Sequence, residues 1–141
     1  MTFSFRSTRP ECATDLAIWS GDSYRFPLPV VLGHEAAGVV LAVGDAVTCV
    51  TKGDRVIAAW VPQCDKCFFC TRGQAYLCER RGELGSATRH PVTRLDGSQA
   101  FTGAGLGTFA SEMVVDEAML VPVQTDLPME QLALIGCGVT T

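Results

Sequence analysis

The chain has 141 residues, of which 48% are hydrophobic, and this predicts a single globular domain with one core. Its formal net charge is -4 and no run of Lys or Arg exceeds two residues, which excludes the basic surface that nucleic-acid binding requires. The apolar stretches are far shorter than the roughly 20 residues of a membrane span, and residues 1–10 lack the apolar segment of a secretory signal. We therefore expect a cytoplasmic protein without nucleic-acid or membrane partners.

Apolar runs separated by turn residues predict several short strands. In chain order, the strands are expected at residues 28–32, 36–43, 55–61, 108–115 and 118–123. Residues 82–107 are expected to form a long surface loop or hairpin. A short helix is expected over 127–135, with Asp126 as its cap and Gly136 at its end. This pattern favours a mainly β, barrel-like domain with short helices.

Four cysteines in one short segment give the strongest signal in the sequence. Cys64, Cys67 and Cys70 are three residues apart, and Cys78 follows after seven more residues. Tetrahedral zinc, with Zn–S bonds of about 2.3 Å, needs thiolates that lie close together, and tight turns with Cys at i and i+3 supply them. Four ligands leave no open position, so we predict a structural zinc ion in a lobe at about residues 62–84. Two disulfides or an iron–sulfur cluster are the alternatives.

A second, dispersed metal site is a further candidate. A catalytic zinc needs three protein ligands and one open position. The remaining thiols and imidazoles are those of Cys12, His34, Cys49, His90 and Cys137. His34 follows Gly33, which permits a close backbone approach, although an ordinary core or surface histidine is the simpler interpretation of the residues alone. Cys49 stands in an apolar context and is expected to be a buried small hydrophobe, and His90 is expected to be solvated.

The motif formed by residues 33–40, Gly-His-Glu-Ala-Ala-Gly-Val-Val, resembles the signature of the zinc-containing alcohol dehydrogenases. Segments similar to this family follow in the family's order at residues 12–15, 43–44, 53–56, 64–78, 107–110 and 135–141. The resemblance covers nearly the whole chain from Cys12 onward. It implies the GroES-like β-barrel catalytic domain of the zinc-dependent medium-chain alcohol dehydrogenases, with a four-cysteine zinc lobe.

This resemblance implies roles for residues of the dispersed site. Cys12, His34 and Cys137 match the ligands of the catalytic zinc, a set of two Cys and one His that is typical of alcohol dehydrogenases. Glu35 matches a carboxylate that can approach the metal during ligand exchange. Asp15 matches the carboxylate that holds the imidazole of His34 in its ligating orientation.

The resemblance also implies residues that contact substrate and cofactor. Thr14 matches the hydroxyl that accepts the alcohol proton and passes it outward, and a helix-cap or turn role is compatible with it. Trp60 falls where the family places an aromatic wall of the substrate pocket, although a tryptophan at the end of a strand is as often part of the core. Thr141 falls where the family touches the nicotinamide. The implied reaction is oxidation of a primary or aromatic alcohol, or of a thiol–formaldehyde adduct, with hydride transfer to NAD or NADP.

Two departures from the family pattern modify these expectations. No glycine-rich turn joins a strand to a helix in the way that dinucleotide binding requires. We therefore expect 1–141 to be a partial catalytic domain without the Rossmann domain, and a non-catalytic zinc-binding remnant is the alternative function. Residues 1–10 do not resemble the family's first strands, so we expect an exposed sheet edge there. A full-length enzyme of this kind could be a homo-oligomer.

Overall fold

The computed structural model describes residues 2–4, 13–21 and 27–140. The strands are β1 (Thr2–Ser4), β2 (Val30–Val31), β3 (Ala37–Ala42), β4 (Arg55–Ala58), β5 (Val92–Thr93), β6 (Gln99–Thr102), β7 (Glu112–Val114) and β8 (Leu120–Pro122). The α-helices are α1 (Ala13–Ser20), α2 (Arg81–Leu84) and α3 (Met129–Ile135), and short 3₁₀ helices lie at Cys70–Arg72, Ala75–Leu77, Gly103–Gly105 and Glu117–Met119. This confirms the predicted mainly β class. In the part of the chain that the structure describes, no helix has the length and apolarity needed to cross a membrane.

The strands form two sheets. The larger has the order β7-β1-β3-β4-β8 and all of its neighbouring pairs are antiparallel. The smaller has the order β2-β6-β5, in which β2 and β6 are parallel while β5 and β6 form an antiparallel hairpin. Because β1 lies between β3 and β7, residues 2–4 occupy an interior position of the larger sheet. The expectation of an exposed edge at the N-terminal end is therefore wrong for these residues.

Side chains alternate between the two faces of a strand, and a separate core cluster covers each face of β3 and β4. On one face, Val40 and Val56 join a core cluster that also contains Ala36, Val50, Ala58, Leu106, Met113, Val115, Met119 and Leu120. On the other face, Ala37 and Ile57 pack against Leu132 and Ala133 of α3. Burying a side chain such as that of Ile57 or Leu132 contributes about 1.5–3 kcal/mol to stability. The packing fixes α3 on the sheet, and with it the turn that follows the helix.

Residues 82–107 contain the predicted hairpin, but they are not all a surface loop. Ala100 and Thr102 of β6 are buried, and Leu106 is completely buried in the main core. The parallel pairing of β6 with β2 draws this part of the chain inward. A pairing between strands so far apart in sequence leaves no local pattern that could have predicted it.

The predicted helix near the C-terminal end exists, but Asp126 does not cap it. Arg55 donates from Nη1 to the Thr125 carbonyl oxygen at 2.7 Å and from Nη2 to the carbonyl oxygen of Leu127. These bonds tie the preceding segment to β4, and the helix begins only at Met129, after Pro128. Gly136 follows the helix as predicted.

Two expectations for side-chain exposure are also wrong. Cys49 is exposed, because the next residue, Val50, takes the core position. The Cys49 N–H donates to Oε2 of Glu117 at 3.2 Å, which holds this loop at the surface. His90 is half-buried and not solvated, and its Nε2 is a buried atom that has no hydrogen-bond partner among the described residues.

Because α3 approaches β4 closely at Gly136, adding one methyl group there should lower the stability of the protein. A Cβ at Gly136 would lie 2.4 Å from the Ala58 carbonyl oxygen. Gly136→Ala should therefore lower the free energy of unfolding by about 1–3 kcal/mol, since overpacking outweighs the usual preference of a helix for alanine. Urea denaturation measures the change. At Gly44, no atom lies within 4 Å of an added Cβ, so Gly44→Ala serves as the control, and equal stabilities of the two variants would contradict the close approach.

Candidate metal centres and the adjoining cavity

Three buried side chains with metal-binding atoms converge at one point of the fold. The candidate ligand atoms of His34, Glu35 and Cys137 all lie within 4.8 Å of one another. The three residues are only 5%, 5% and 4% exposed. His34 and Glu35 precede β3, whereas Cys137 lies in the turn after α3. The structure thus brings together two of the three predicted zinc ligands, His34 and Cys137. The third, Cys12, lies outside the described residues.

The loop that carries His34 is held by backbone contacts to the segment before β7. The Thr108 N–H donates to the Gly33 carbonyl oxygen and the Phe109 N–H donates to the Leu32 carbonyl oxygen, both at 3.0 Å. Gly33 has a φ of 95°, and a Cβ there would lie 2.4 Å from Oγ1 of Thr108. Only glycine fits this position, which confirms the close backbone approach predicted from the sequence.

Asp15 connects α1 to this loop through contacts with Gly33 and His34. Its Oδ2 lies 2.9 Å from Nδ1 of His34, and its Oδ1 accepts a hydrogen bond from the Gly33 N–H at 2.8 Å. Burial raises the pKa of Asp15, but the hydrogen bonds from His34 and Gly33 and the charge of His34 outweigh it, and the pKa lies below its usual value. Asp15 is therefore an ionised carboxylate. Because it contacts Nδ1 of His34, Nε2 is the ring nitrogen that we assign as the candidate metal ligand.

Glu35 anchors the C-terminal turn. Its Oε1 accepts a hydrogen bond of 2.6 Å from the Gly138 N–H, across 103 positions of sequence. A Cβ at Gly138 would lie 2.9 Å from the same oxygen. The contact docks the turn that carries Cys137 beside His34. No pattern in the sequence predicted this hydrogen bond.

A cavity of about 290 Å³ opens beside these residues. Its lining includes His34, Cys137, Thr14, Trp60, Ile18 and Arg81. The ring of Trp60 meets the ring of His34 edge-on, with 6.3 Å between the centroids. The lining thus includes Thr14 and Trp60, two residues named from the resemblance, together with Ile18 and Arg81, which sequence reasoning missed. Arg81 follows Cys78 by three residues, so only the folded lobe could show that it reaches the cavity. Thr141 lies outside the described residues.

The four cysteines of the lobe also form one cluster. The sulfur atoms of Cys64, Cys67, Cys70 and Cys78 all lie within 4.8 Å of one another, and all four thiols are free. Mutual proximity of all four fits a single four-ligand site better than two separate disulfides. Two short 3₁₀ helices, Cys70–Arg72 and Ala75–Leu77, fold the chain back between the third and fourth ligands.

Backbone N–H groups favour the thiolate form at one position of this cluster. The N–H groups of Cys70 and Glu79 lower the pKa of Cys67 to about 6. Removal from water and the neighbouring Cys67 raise the pKa of Cys70 to about 11. One sulfur is thus readily ionised at neutral pH while another retains its proton. Metal binding at the cluster would release that proton.

Comparisons with known proteins agree with this geometry. The family described as "Alcohol dehydrogenase GroES-like domain" matches residues 10–125. An alcohol dehydrogenase class-3 of Drosophila melanogaster is 40% identical over 134 residues, which is 92% of this chain and 35% of the relative. An S-(hydroxymethyl)glutathione dehydrogenase of Photobacterium damsela subsp. piscicida is 40% identical over 136 residues, which is 92% of this chain and 36% of the relative. The chain therefore spans about a third of the length of these curated relatives.

Solved structures show the same relationship. The crystal structure of an "Alcohol dehydrogenase zinc-binding domain protein" from Burkholderia ambifaria superimposes with a TM-score of 0.80 at 30% sequence identity. The match covers 99% of this chain and 38% of that one. The predicted GroES-like architecture is therefore confirmed.

The contacts of Asp15 predict a stability effect that is independent of metal. Asp15→Ala removes the acceptor of two buried hydrogen bonds, so the metal-free variant should lose about 1–3 kcal/mol of unfolding free energy. Urea denaturation in the presence of a chelator measures the loss. Leu16→Ala is the matched control, because Leu16 neighbours Asp15 on α1 and is 63% exposed. A loss no greater for Asp15→Ala than for Leu16→Ala would show that the buried hydrogen bonds do not hold the helix.

Proposed function

Because this chain belongs to the alcohol dehydrogenase GroES-like domain family, we propose that it is the zinc-binding catalytic part of an enzyme that oxidises an alcohol to an aldehyde or ketone, with hydride transfer to NAD or NADP. The observation that carries the proposal is the buried cluster of His34, Glu35 and Cys137, of which His34 and Cys137 line a cavity. Its volume of about 290 Å³ is at the lower end of the range for small-molecule sites. The substrate is accordingly a small molecule.

The donor set of the dispersed site fits zinc. Imidazole and thiolate groups are the ligands that Zn²⁺ prefers, and a catalytic site combines three protein ligands with an open position. We assign the ligands to Cys12, His34 and Cys137, with Glu35 as a carboxylate close enough to take part in ligand exchange. Cys12 directly precedes α1, the helix whose Asp15 contacts His34. A zinc ion at this site would supply Lewis-acid chemistry to the alcohol oxygen.

The other side chains around the cavity are proposed to orient the ligand, transfer the proton and bind the substrate and cofactor. Asp15 fixes the tautomer and orientation of His34, so that Nε2 faces the metal position. Thr14 lines the cavity with a hydroxyl that both donates and accepts, and it would take the alcohol proton and pass it to solvent. Trp60 forms an apolar wall that excludes water and limits how the substrate can lie. Thr141 is proposed to contact the nicotinamide, which accepts the hydride.

The proposed substrates are primary or aromatic alcohols, or a thiol–formaldehyde adduct. The last follows from the relative that is named for S-(hydroxymethyl)glutathione. We also propose a cytoplasmic enzyme that can assemble into homo-oligomers. It is proposed to bind neither nucleic acid nor membranes, since a net charge of -4 opposes binding to polyanionic surfaces.

The four-cysteine lobe is proposed to hold a second zinc ion with a structural role. Four thiolates fill a tetrahedral shell, and no position remains for a substrate. Metal binding there would add to the free energy of folding, because the unfolded chain offers no preformed site. The lobe lies at about residues 62–84 and ends with the short helix α2.

Metal content distinguishes the two sites. The purified chain should hold two zinc ions, while Cys137→Ser and Cys78→Ser should each hold one, since each change removes a ligand from a different cluster. Cys78→Ser should also lower the melting temperature more. Elemental analysis after dialysis gives the stoichiometry. Cys49→Ser is the control, because Cys49 lies outside both clusters, and two zinc ions retained by Cys137→Ser would contradict the dispersed site.

Turnover tests the reaction itself. We expect the polypeptide expressed from its complete reading frame to reduce NAD or NADP with at least one alcohol of a panel, as followed by nicotinamide absorbance. Cys137→Ser should reduce kcat/KM by more than about a hundredfold, since one of the three proposed ligands of the catalytic metal would be lost, while Cys49→Ser should not change it. Two bound zinc ions without cofactor reduction by any alcohol would instead support a non-catalytic zinc-binding protein.

A further inference from the structure

We propose that Arg55 is a positioning residue for Cys137, because its guanidinium fixes the point at which α3 begins and so determines where the thiol after the helix lies. The inference rests on the proposed function, since it concerns how one of the assigned zinc ligands is held. It is carried by the hydrogen bonds of Arg55 to the segment before α3 and by the order in which β4 contacts this part of the chain.

The Arg55 side chain holds the chain beyond the end of the sheet. The last backbone bond between β4 and the β8 side is that of the Val123 N–H, which donates to the Arg55 carbonyl oxygen at 2.9 Å. Further along the chain, Nη1 of Arg55 donates to the Thr125 carbonyl oxygen at 2.7 Å, and Nη2 donates to the carbonyl oxygen of Leu127. The planar guanidinium binds two acceptors at once, and its charged N–H groups form stronger hydrogen bonds than neutral donors do.

These contacts hold a segment of backbone and do not neutralise a charge. Arg55 is half-buried, and its Nε is a buried atom without a hydrogen-bond partner. Among the described residues, no carboxylate lies within ion-pair distance of its guanidinium. A positive charge near the N-terminal end of a helix is also unfavourable. The two carbonyl groups are therefore what keeps the side chain in this place.

The local sequence does not fix the start of α3. The helix follows Pro128, and no side chain caps its first turn, whereas Ser, Thr, Asp or Asn at the cap would define the start. The chain bends at Leu127, one of the two residues whose carbonyl oxygens Arg55 binds. The place where α3 begins thus depends on a side chain 72 positions away from Leu127.

Strand β4 contacts α3 in order along the length of the helix. Arg55 holds the entry, and Ile57 packs against the middle. The Ala58 carbonyl oxygen closely approaches Gly136 at the end. Apolar packing is non-directional, so the middle contact alone would let the helix slide or turn. The hydrogen bonds at the entry and the close contact at the end remove this freedom just before Cys137.

A metal ligand tolerates little displacement. Distances at a metal site hold to within about 0.2 Å, and a preorganised site keeps its groups within about 0.5 Å of the productive geometry. Cys137 is buried in the turn after α3, so a shift of the helix moves its sulfur relative to His34. Arg55 lies at the opposite end of the helix and acts on the site without contacting it.

The rate of zinc release measures the positioning. Transfer of zinc from the purified chain to a chelating dye gives separate rates for the dispersed site and the lobe, and Cys137→Ser identifies the first. Arg55→Met removes both hydrogen bonds and should raise the release rate from the dispersed site about tenfold, the lower end of the effect of residues behind a ligand. The lobe rate should stay the same. Arg55→Lys keeps one donor and should raise the rate about threefold, which is half of the effect on a logarithmic scale.

Met113→Ala separates positioning from a loss of overall stability. Met113 is buried in the main core cluster, which contains no residue of α3, and removing its side chain lowers stability. This variant should leave the ratio of the two release rates unchanged. Arg94→Met, which removes an exposed positive charge, should leave the ratio unchanged as well.

Several results would overturn the positioning role. These are an unchanged release rate from the dispersed site in Arg55→Met, an equal acceleration at both sites, or a change of the rate ratio in Met113→Ala or Arg94→Met as large as in Arg55→Met. If Arg55→Met does not fold, Arg55→Lys decides, and a dispersed-site rate equal to that of the unaltered chain overturns the role.

The zinc content separates this inference from the proposed function. If the purified chain holds only the lobe zinc, the dehydrogenase proposal fails and Cys137 is a free thiol, whose alkylation by iodoacetamide is followed by mass spectrometry. Arg55→Met should then accelerate its alkylation about tenfold through local opening, while the exposed Cys49 reacts equally in both chains. Equal rates at Cys137 would overturn the positioning role. If two zinc ions bind and Arg55→Met changes neither release rate, the proposed function stands and this inference fails.

Discussion

The buried carboxylate of Asp15 is the contact on which the site depends. Asp15 is the single buried residue of α1, and its carboxylate bonds the helix to the loop that carries His34. An ionised carboxylate out of water costs several kcal/mol unless donors compensate for it. Here two donors do so, Nδ1 of His34 and the Gly33 N–H. The same two bonds that make the burial tolerable also determine where the imidazole points.

Three close contacts of glycines complete this arrangement, and two of them, at Gly33 and Gly136, are approaches to backbone atoms that leave no room for a side chain. Gly33 contacts the segment before β7, Gly136 lies against β4, and Gly138 lies against Glu35. In each case a Cβ would fall at or below 2.9 Å from another atom. The loop before β3 and the turn after α3 are thereby pressed together at the sheet. The metal-binding side chains are held by packing that leaves little room for movement, as a preorganised site requires.

Features with local causes could be predicted from the sequence, whereas features caused by distant contacts could not. The spacing of Cys64 to Cys78 and the apolar runs of β3 and β4 are local patterns, and the structure contains both. Helix α1 was not predicted, because its exposed Leu16 and Trp19 form no buried apolar stripe. The burial of β6 and the late start of α3 arise from contacts far apart in sequence, and the position of Arg81 beside the cavity depends on the folding of the lobe. The exposure of Cys49 likewise depends on which neighbour enters the core.

The two metal-binding clusters differ in the length of chain that must be closed to form them. Backbone hydrogen bonds within the lobe join near neighbours, such as Thr71 to Cys67 and Arg81 to Cys78, whereas Glu35 and Gly138 are 103 positions apart. Loop closure becomes costlier in entropy as the loop lengthens, and contacts of low sequence separation form sooner in folding. The lobe can thus assemble on a nascent chain soon after Cys78 has been synthesised, while the dispersed cluster must await the synthesis of Cys137.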